Sequence, residues 1–539
     1  MTTTTARMLM VLAAGWALAG AAWGQGGPGG PRVSQDVLRT HLITLASDEF
    51  EGRGTGQPGG DKTVAYLERH ARSIGLKPAH GDSFRQSVRL FGVRSRIADS
   101  SVDLEAGGKA LGLRFGDDWM WRSGDGRALN ELDAEIVFVG YGITAPEEGW
   151  DDFKGLDCRG KVLLVLGDDP VPTAAEPDRF GGRSMTYYGR GPYKFEEGKR
   201  RGAAGVLVMY NAKSRFDPWS SVRNNWSVEV FKLKDQGGTG VEGLLTPEAA
   251  ARLVRAAGRD FDTLRAAAER RDMQPVVLNA RIRGRMVSDV REIEQFNVAG
   301  LVPGTDPVLK DELVIYSAHW DHLGRTAGEG DVIYNGAWDN ATGAAALLAM
   351  AQASVAAPTR RTQMFLWPAA EEHMMLGSKA YVASPPWPLA RTAAALNLDS
   401  MNTAGRTRDI GVPGSDRSDL HALAAATAKE MNRTFAKVWP DVRGEFFRAD
   451  HFSFVQAGIP AFSIDWGLDF IDDPIVSKRR MLDIASRYHQ VNDEFDPNWD
   501  LAGTTEDAQF TLNLGRRVAN ADAMPAWKAG DPYGRLRAK

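Results

Sequence analysis

The sequence predicts an α/β protein: a mixed, largely parallel sheet sandwiched by helices, with a small α/β or β-rich module inserted into it. Three observations carry this. After residue 310, near-continuous apolar runs ("DELVIYSAHW", "TQMFLWPAAEE", "TAAALNLDS", "AFSIDWG") alternate with helical stretches such as "GAAALLAMAQAS" and "DLHALAAATAKEM". That is the pattern of parallel strands buried on both faces and joined by crossover helices. Between residues 131 and 260 the texture shifts to short strands and glycine turns, in "AEIVFVGYGI", "GKVLLVLG" and "KFEEGKRRGAAGVLVMYN", which marks a unit of its own. At 539 residues the chain also exceeds what one hydrophobic core usually organises.

In chain order, "MTTTTARMLMVLAAGWALAGAAWGQ" carries Arg7, an apolar stretch over residues 8–22, and Ala22 and Gly24 at the −3 and −1 positions of a cleavage site. Residues 1–24 therefore read as a signal peptide, and the product as secreted or periplasmic. The apolar stretch is shorter than the roughly 20 residues that span a bilayer, so no stable membrane span is expected after cleavage. Residues 25–34 ("QGGPGGP" and its flank) form a flexible leader. Residues 35–130 begin the main domain with a helix, a glycine-rich loop and a second helix. Within that loop "GTGQPG" fits Gly-x-Gly-x-x-Gly, but it follows a helix and contains Pro58, so it reads as a loop rather than a nucleotide site. Residues 131–260 are the inserted module, 275–525 the second and catalytic part of the main domain, and 526–539 a polar tail.

Lys plus Arg total 65 against 69 Asp plus Glu, a formal charge of −4, which removes nucleic acid from the expected partners. A single cysteine, Cys158, excludes intramolecular disulfides, so an exported fold rests on core packing and metal. With no histidine near it in sequence, Cys158 reads as a packed residue of the module. Nothing in the sequence reports the oligomeric state.

The chemistry lies at the strand ends. "LVIYSAHWDH" ends in His319, Asp321 and His322, "FLWPAAEE" in Glu371 and Glu372, and "AALNLD" in Asp399. "YNGAWDNATGAAALL" places Asp339 at a helix start, and "RYHQVNDEFD" places His489 in a late loop. Ligands of open α/β sheets gather at the carboxyl ends of the strands, so these groups can converge. Two adjacent carboxylates at the edge of a core need compensation, and imidazole with carboxylate is a donor set that suits Zn²⁺. Taken singly, each has a plain alternative: adjacent glutamates on a solvated helix face, Asp-Asn in a cap or turn. "NAT" at Asn340 also fits a glycosylation sequon, a reading at odds with a metal site there.

In this order, "HWDH", "WDNATGAAALL", "AAEEHMMLGSKAY", "NLDSMN", "RADHFSF" and "YHQVNDEFD", with "LASDEFEGRGTGQPGG" and "NVAGLVPGTD", resemble the di-zinc exopeptidase family of secreted aminopeptidases and glutamate carboxypeptidases. The module resembles a protease-associated domain. The resemblance implies two Zn²⁺ ions per chain: Asp339 bridges them, His319 and Asp399 complete one site, and Glu372 and His489 the other. It leaves Glu371 as general base, gives Asp321 the other ring nitrogen of His319, and implies a cis Asp339–Asn340 peptide. Read from the residues, His322, His373 and His451 are candidates for lining the pocket without a direct role, and His41, His70 and His80 are structural or solvated.

The resulting expectation is an exported zinc aminopeptidase acting on peptides with a free amino terminus. The alternatives are a glutamate-carboxypeptidase-like enzyme, with Arg443 or Arg448 receiving a carboxylate, and a catalytically decayed binding or receptor protein of the same fold. Glutaminyl cyclase relatives fit less well, since they typically lack the module and use one zinc.

Overall fold

The computed structural model describes residues 30–211, 219–436 and 440–537. The stretch read as a signal peptide, 1–24, and the first five residues of the expected leader lie outside the described residues. Among the described residues, no helix is long and apolar enough to cross a membrane.

The main domain opens with α1 (Gln35–Leu45) and α2 (Pro58–Ser73). Helix α1 starts where the Ser34 hydroxyl accepts the Val37 N–H, and it buries Leu38, His41, Leu42 and Leu45 at three- and four-residue spacing, the signature of one core-facing stripe. Strand β1 (Arg85–Ser95) follows. The module then supplies β2 (Leu129–Phe138), β3 (Val162–Leu166), β4 (Gly205–Met209), β5 (Val230–Leu233) and β6 (Val241–Leu245). A single long strand, β7 (Val276–Val302), leads back to the main domain. There β8 (Leu313–Ser317), α3 (Thr342–Val355), β9 (Thr362–Trp367), β10 (Thr392–Leu398), β11 (Ala461–Ile464), α4 (Pro474–Ser486) and α5 (Ala502–Asn520) complete the fold.

The main sheet runs β11–β10–β8–β9 with all neighbours parallel. The far end of β7 then adds antiparallel to β9, β1 pairs antiparallel with β7, and β5 pairs antiparallel with β1. Every residue of β8, β9 and β10 is buried, which is why these strands read as near-continuous apolar runs. Helix α3, "TGAAALLAMAQASV", is buried over nearly its whole length and packs on α1 and α5; its small alanines permit that close approach. Each fully buried Leu, Ile or Val here contributes about 1.5–3 kcal/mol, and truncating one such as Ile315 to Ala is expected to cost about 2–5 kcal/mol.

The second sheet holds β2, β3, β4 and β6 in parallel, with Trp119–Arg122 antiparallel on β6 and the near end of β7 antiparallel on β2. Its hydrophobic cluster draws on residues from Leu104 to Met286, flanking the 131–260 interval on both sides. Two further contacts tie the module to the main domain: the Met185 N–H donates to the Asp441 carbonyl at 2.8 Å, and the Tyr187 ring packs 4.7 Å from Phe452. Cys158 is buried in the module beside Val137, Leu163 and Val206.

Candidate metal centre

Strand β8 is flanked by β9 on one side and β10 on the other. The chain therefore leaves β8 in one direction and returns on the other side, which opens a crevice above the carboxyl end of the sheet. His319 lies two residues past β8 and Asp399 directly after β10, on the two sides of that reversal. Their Nε2 and Oδ1 atoms are 3.4 Å apart.

The other predicted donors converge on the same point. Asp339 lies just ahead of α3, with a cis Asp339–Asn340 peptide, as the resemblance implies. Its Oδ1 is 3.4 Å from His319 Nε2 and its Oδ2 is 3.1 Å from His489 Nε2. His489 Nε2 also lies 3.0 Å from Glu372 Oε2. Two donor groups result, one of His319, Asp339 and Asp399, the other of His322, Asp339, Glu372 and His489, with the donor atoms of each within 4.8 Å of one another. Asp339 belongs to both. The structure thus brings all five predicted ligands together, and Asn340, 1% exposed and bonded to the Leu398 carbonyl at 3.0 Å, has no room for a glycan.

Glu371 belongs to neither group. It starts a short 3₁₀ turn, Glu371–His373, bounded by residues with left-handed backbone: Ala370 (φ 54°), Met374 (φ 75°) and Met375 (φ 61°). Non-glycine residues in this region cost on the order of 1–3 kcal/mol each and persist where surrounding bonds fix them. Those bonds are Met375 N–H to Glu371 O at 2.8 Å and Gly377 N–H to Ala369 O at 2.8 Å, and a side chain at Gly377 would collide with Ala369 at 2.3 Å. The turn holds the Glu371 carboxylate 3.9 Å from His319 Nε2.

Asp321 differs from expectation in the atom it uses. The Nδ1 of His319 bonds the backbone carbonyl of Asp321 at 3.1 Å, while the carboxylate stands 3.7 Å away. That carboxylate accepts the backbone N–H of Glu371 at 3.0 Å and of Glu372 at 3.4 Å. A rigid carbonyl already fixes the ring, and the side chain is free to hold the neighbouring turn.

The electrostatics follow from burial and crowding. Burial pushes the Glu371 carboxyl well above the usual carboxylate range, against the pull of His319 and with Asp399, Asp450 and Glu372 adding to it. Burial also opposes ionisation of Asp339, but hydrogen bonds from His319 and His489 outweigh it and hold the group well below that range. For His319 and His489 burial favours the neutral ring, yet the facing carboxylates raise both well above the ordinary imidazole value. The cluster demands positive charge.

Sequence reasoning left His322 without a place in a donor group and missed Asp493. His322 Nδ1 lies 2.6 Å from Glu372 Oε1, and its spacing in "HWDH" was the available signal. Asp493 accepts the N–H of Trp338 at 2.9 Å and of Asp339 at 3.1 Å, so it orients the shared carboxylate; only its place in "YHQVNDEFD" hinted at this. His373 packs on Phe231 of β5 at 4.8 Å, and His451 is buried against Phe446, where burial lowers its pKa to about 3. Arg443 and Arg448 both pair with Glu445, at 3.2 and 3.4 Å.

The donor chemistry fits zinc: imidazole nitrogens and carboxylate oxygens, buried or half-buried, with one carboxylate shared between two groups. Residues 297–512 match the model of peptidase family M28. No curated protein matches the chain significantly. Among solved structures, an aminopeptidase from Aneurinibacillus sp. strain AM-1 is 19% identical with a TM-score of 0.51, covering 93% of this chain and 97% of that one; this likeness establishes the shared fold. A zinc aminopeptidase from Bacillus subtilis is 17% identical (TM-score 0.40, covering 90% and 94%), and a peptidase M28 precursor from Shewanella amazonensis is 17% identical (TM-score 0.40, covering 91% and 98%). The matched segment contains every predicted donor, so the donor cluster lies within a stretch that matches peptidase family M28.

Proposed function

We propose that the protein is an exported aminopeptidase that holds two zinc ions and removes the first residue from peptides with a free amino terminus. Asp339 would be the shared ligand, with His319 and Asp399 holding one ion and Glu372 and His489 the other. When bound, zinc supplies a Lewis acid that polarises a carbonyl and brings water to a reactive pKa. The chain supplies the rest. Glu371 takes the proton from the attacking water and returns it to the leaving amine, and the surplus of carboxylates around the site favours the ammonium of the substrate. The cleavable signal at residues 1–24 supports export, and the module at 131–260 is assigned as a protease-associated domain.

The observation that carries this reading is the division between the two neighbouring glutamates. Glu372 faces His489 at 3.0 Å inside a donor group, whereas Glu371 stays outside both and is held at 3.9 Å from His319. Purified protein is tested on aminoacyl fluorogenic substrates and their N-acylated counterparts, with and without chelator. Cleavage confined to free-amino substrates and abolished by chelation is expected; preference for N-acylated peptides with a free carboxylate would instead support the carboxypeptidase alternative. Failure to bind zinc at all would favour the binding-protein alternative.

A further inference from the structure

Arg53 lies in the amino-terminal segment, more than 240 residues ahead of the first residue matched by the family model. It is fully buried, at 0% exposure, and every hydrogen bond of its guanidinium goes to a backbone carbonyl. Nε donates to Trp320 O at 2.9 Å, Nη1 to Leu45 O at 2.7 Å and to Asn335 O at 2.6 Å, and Nη2 to Gly336 O at 2.7 Å. Trp320 directly follows the ligand His319, and Gly336 precedes the shared ligand Asp339 by three residues. One planar fork thus spans the two loops whose separation sets the distance between these ligands. A lysine, with one nitrogen on a flexible stem, cannot reach three loops at once.

The backbone around Arg53 is shaped for this purpose. Glu51 (φ 48°), Gly52 (φ 66°) and Arg53 (φ 53°) adopt left-handed conformation in succession, and a Cβ at Gly52 would meet Tyr334 O at 2.3 Å and Gly324 O at 2.6 Å. Such conformations survive where surrounding structure dictates them, and they cluster at functional sites. The strap is tied along its length: Thr55 Oγ1 donates to the Asp321 carboxylate at 3.4 Å, the His322 N–H donates to Arg53 O at 3.4 Å, and Asn335 Nδ2 donates to Ala46 O at 2.9 Å and Asp48 Oδ1 at 2.8 Å.

We propose that Arg53 is a positioning residue of the metal centre, clamping the loops of His319 and Asp339 so that both face the same ion. The inference rests on the zinc reading of the site. The residues that orient metal ligands typically change metal affinity or activity 10–100-fold when replaced.

The test uses Arg53→Lys and Arg53→Gln in the full chain, stripped of metal and titrated with zinc ion against a chromophoric chelator, with circular dichroism reporting the fold. Folded variants are expected to bind zinc about 10–100-fold more weakly, with kcat per folded chain reduced, KM within about twofold, and activity partly recovered at high zinc. Either variant folding and matching the parent in zinc affinity and kcat overturns the proposal. If both fail to fold while the metal-free parent folds, Arg53 is a scaffold residue and the proposal is likewise rejected. A parent that binds no zinc defeats the metal reading itself; a parent that binds zinc, with variants that bind it equally, defeats only the role of Arg53.

Discussion

Asp321 Oδ1 accepts the backbone N–H of Glu371 at 3.0 Å, which couples the loop after β8 to the turn after β9. This bond aims Glu371 without touching its carboxylate. Asp321→Ala is therefore expected to lower kcat by about 10–100-fold, while Asp321→Asn, which keeps an acceptor oxygen, retains most of it. Steady-state kinetics with zinc content measured in parallel checks this; equal losses in the two variants would remove the positioning role.

The adjacent glutamates should separate cleanly on substitution. Glu371→Gln is expected to reduce kcat by about 10²–10⁴-fold with zinc content unchanged, because an amide cannot take a proton from water. Glu372→Gln should instead lose zinc, since it removes the charge facing His489 and His322. Metal analysis of both variants decides between them, and substantial activity in Glu371→Gln would sink its role as base.

Asp339 presents one oxygen to each half of the centre. Asp339→Ala is expected to abolish zinc binding in both groups and leave no chelator-sensitive activity. By contrast, the parent enzyme after chelation should regain activity when zinc is added back. Retention of tight zinc binding in Asp339→Ala would contradict the shared-ligand assignment.

His41 gives a pH-dependent stability term away from the site. It is 7% exposed, its Nδ1 lies 2.7 Å from the Tyr66 hydroxyl, and burial, with His70 nearby, lowers its pKa from 6.5 to about 4. Below pH 6.5 the unfolded chain takes up a proton that the native chain refuses. The stabilisation is thus complete above pH 6.5, declines as the pH falls, and is gone below about pH 4, amounting to at most about 3 kcal/mol. Urea midpoints of the parent should fall more steeply across that interval than those of His41→Gln; parallel curves would dismiss the effect.

The parts of this molecule legible in sequence were those written in side-chain identity. The strands β8 to β10 announced themselves because burial on both faces leaves few polar positions; His319, Glu372 and Asp399 were legible because they follow those strands, and Asp339 and His489 through the motifs around them. What stayed hidden depends on backbone. Arg53 bonds four carbonyls, and a carbonyl has no letter. The same holds for Asp493, whose partners are two N–H groups, and for the split between the carbonyl and carboxylate of Asp321. Strand β7 was obscured differently: "RIRGRMVSDVREIEQ" exposes much of one face, so its apolar positions are diluted by arginines and acids.

The unbroken run of β7 through both sheets has a mechanical consequence. A unit joined by a single flexible linker can swing or melt alone, but here one girder of 27 residues is a structural member of both, and β5 grips the outer edge of the main sheet. Heating or pulling on the insert therefore transmits straight to the catalytic half, so the pair should behave as one cooperative body rather than as a peptidase carrying a detachable flap.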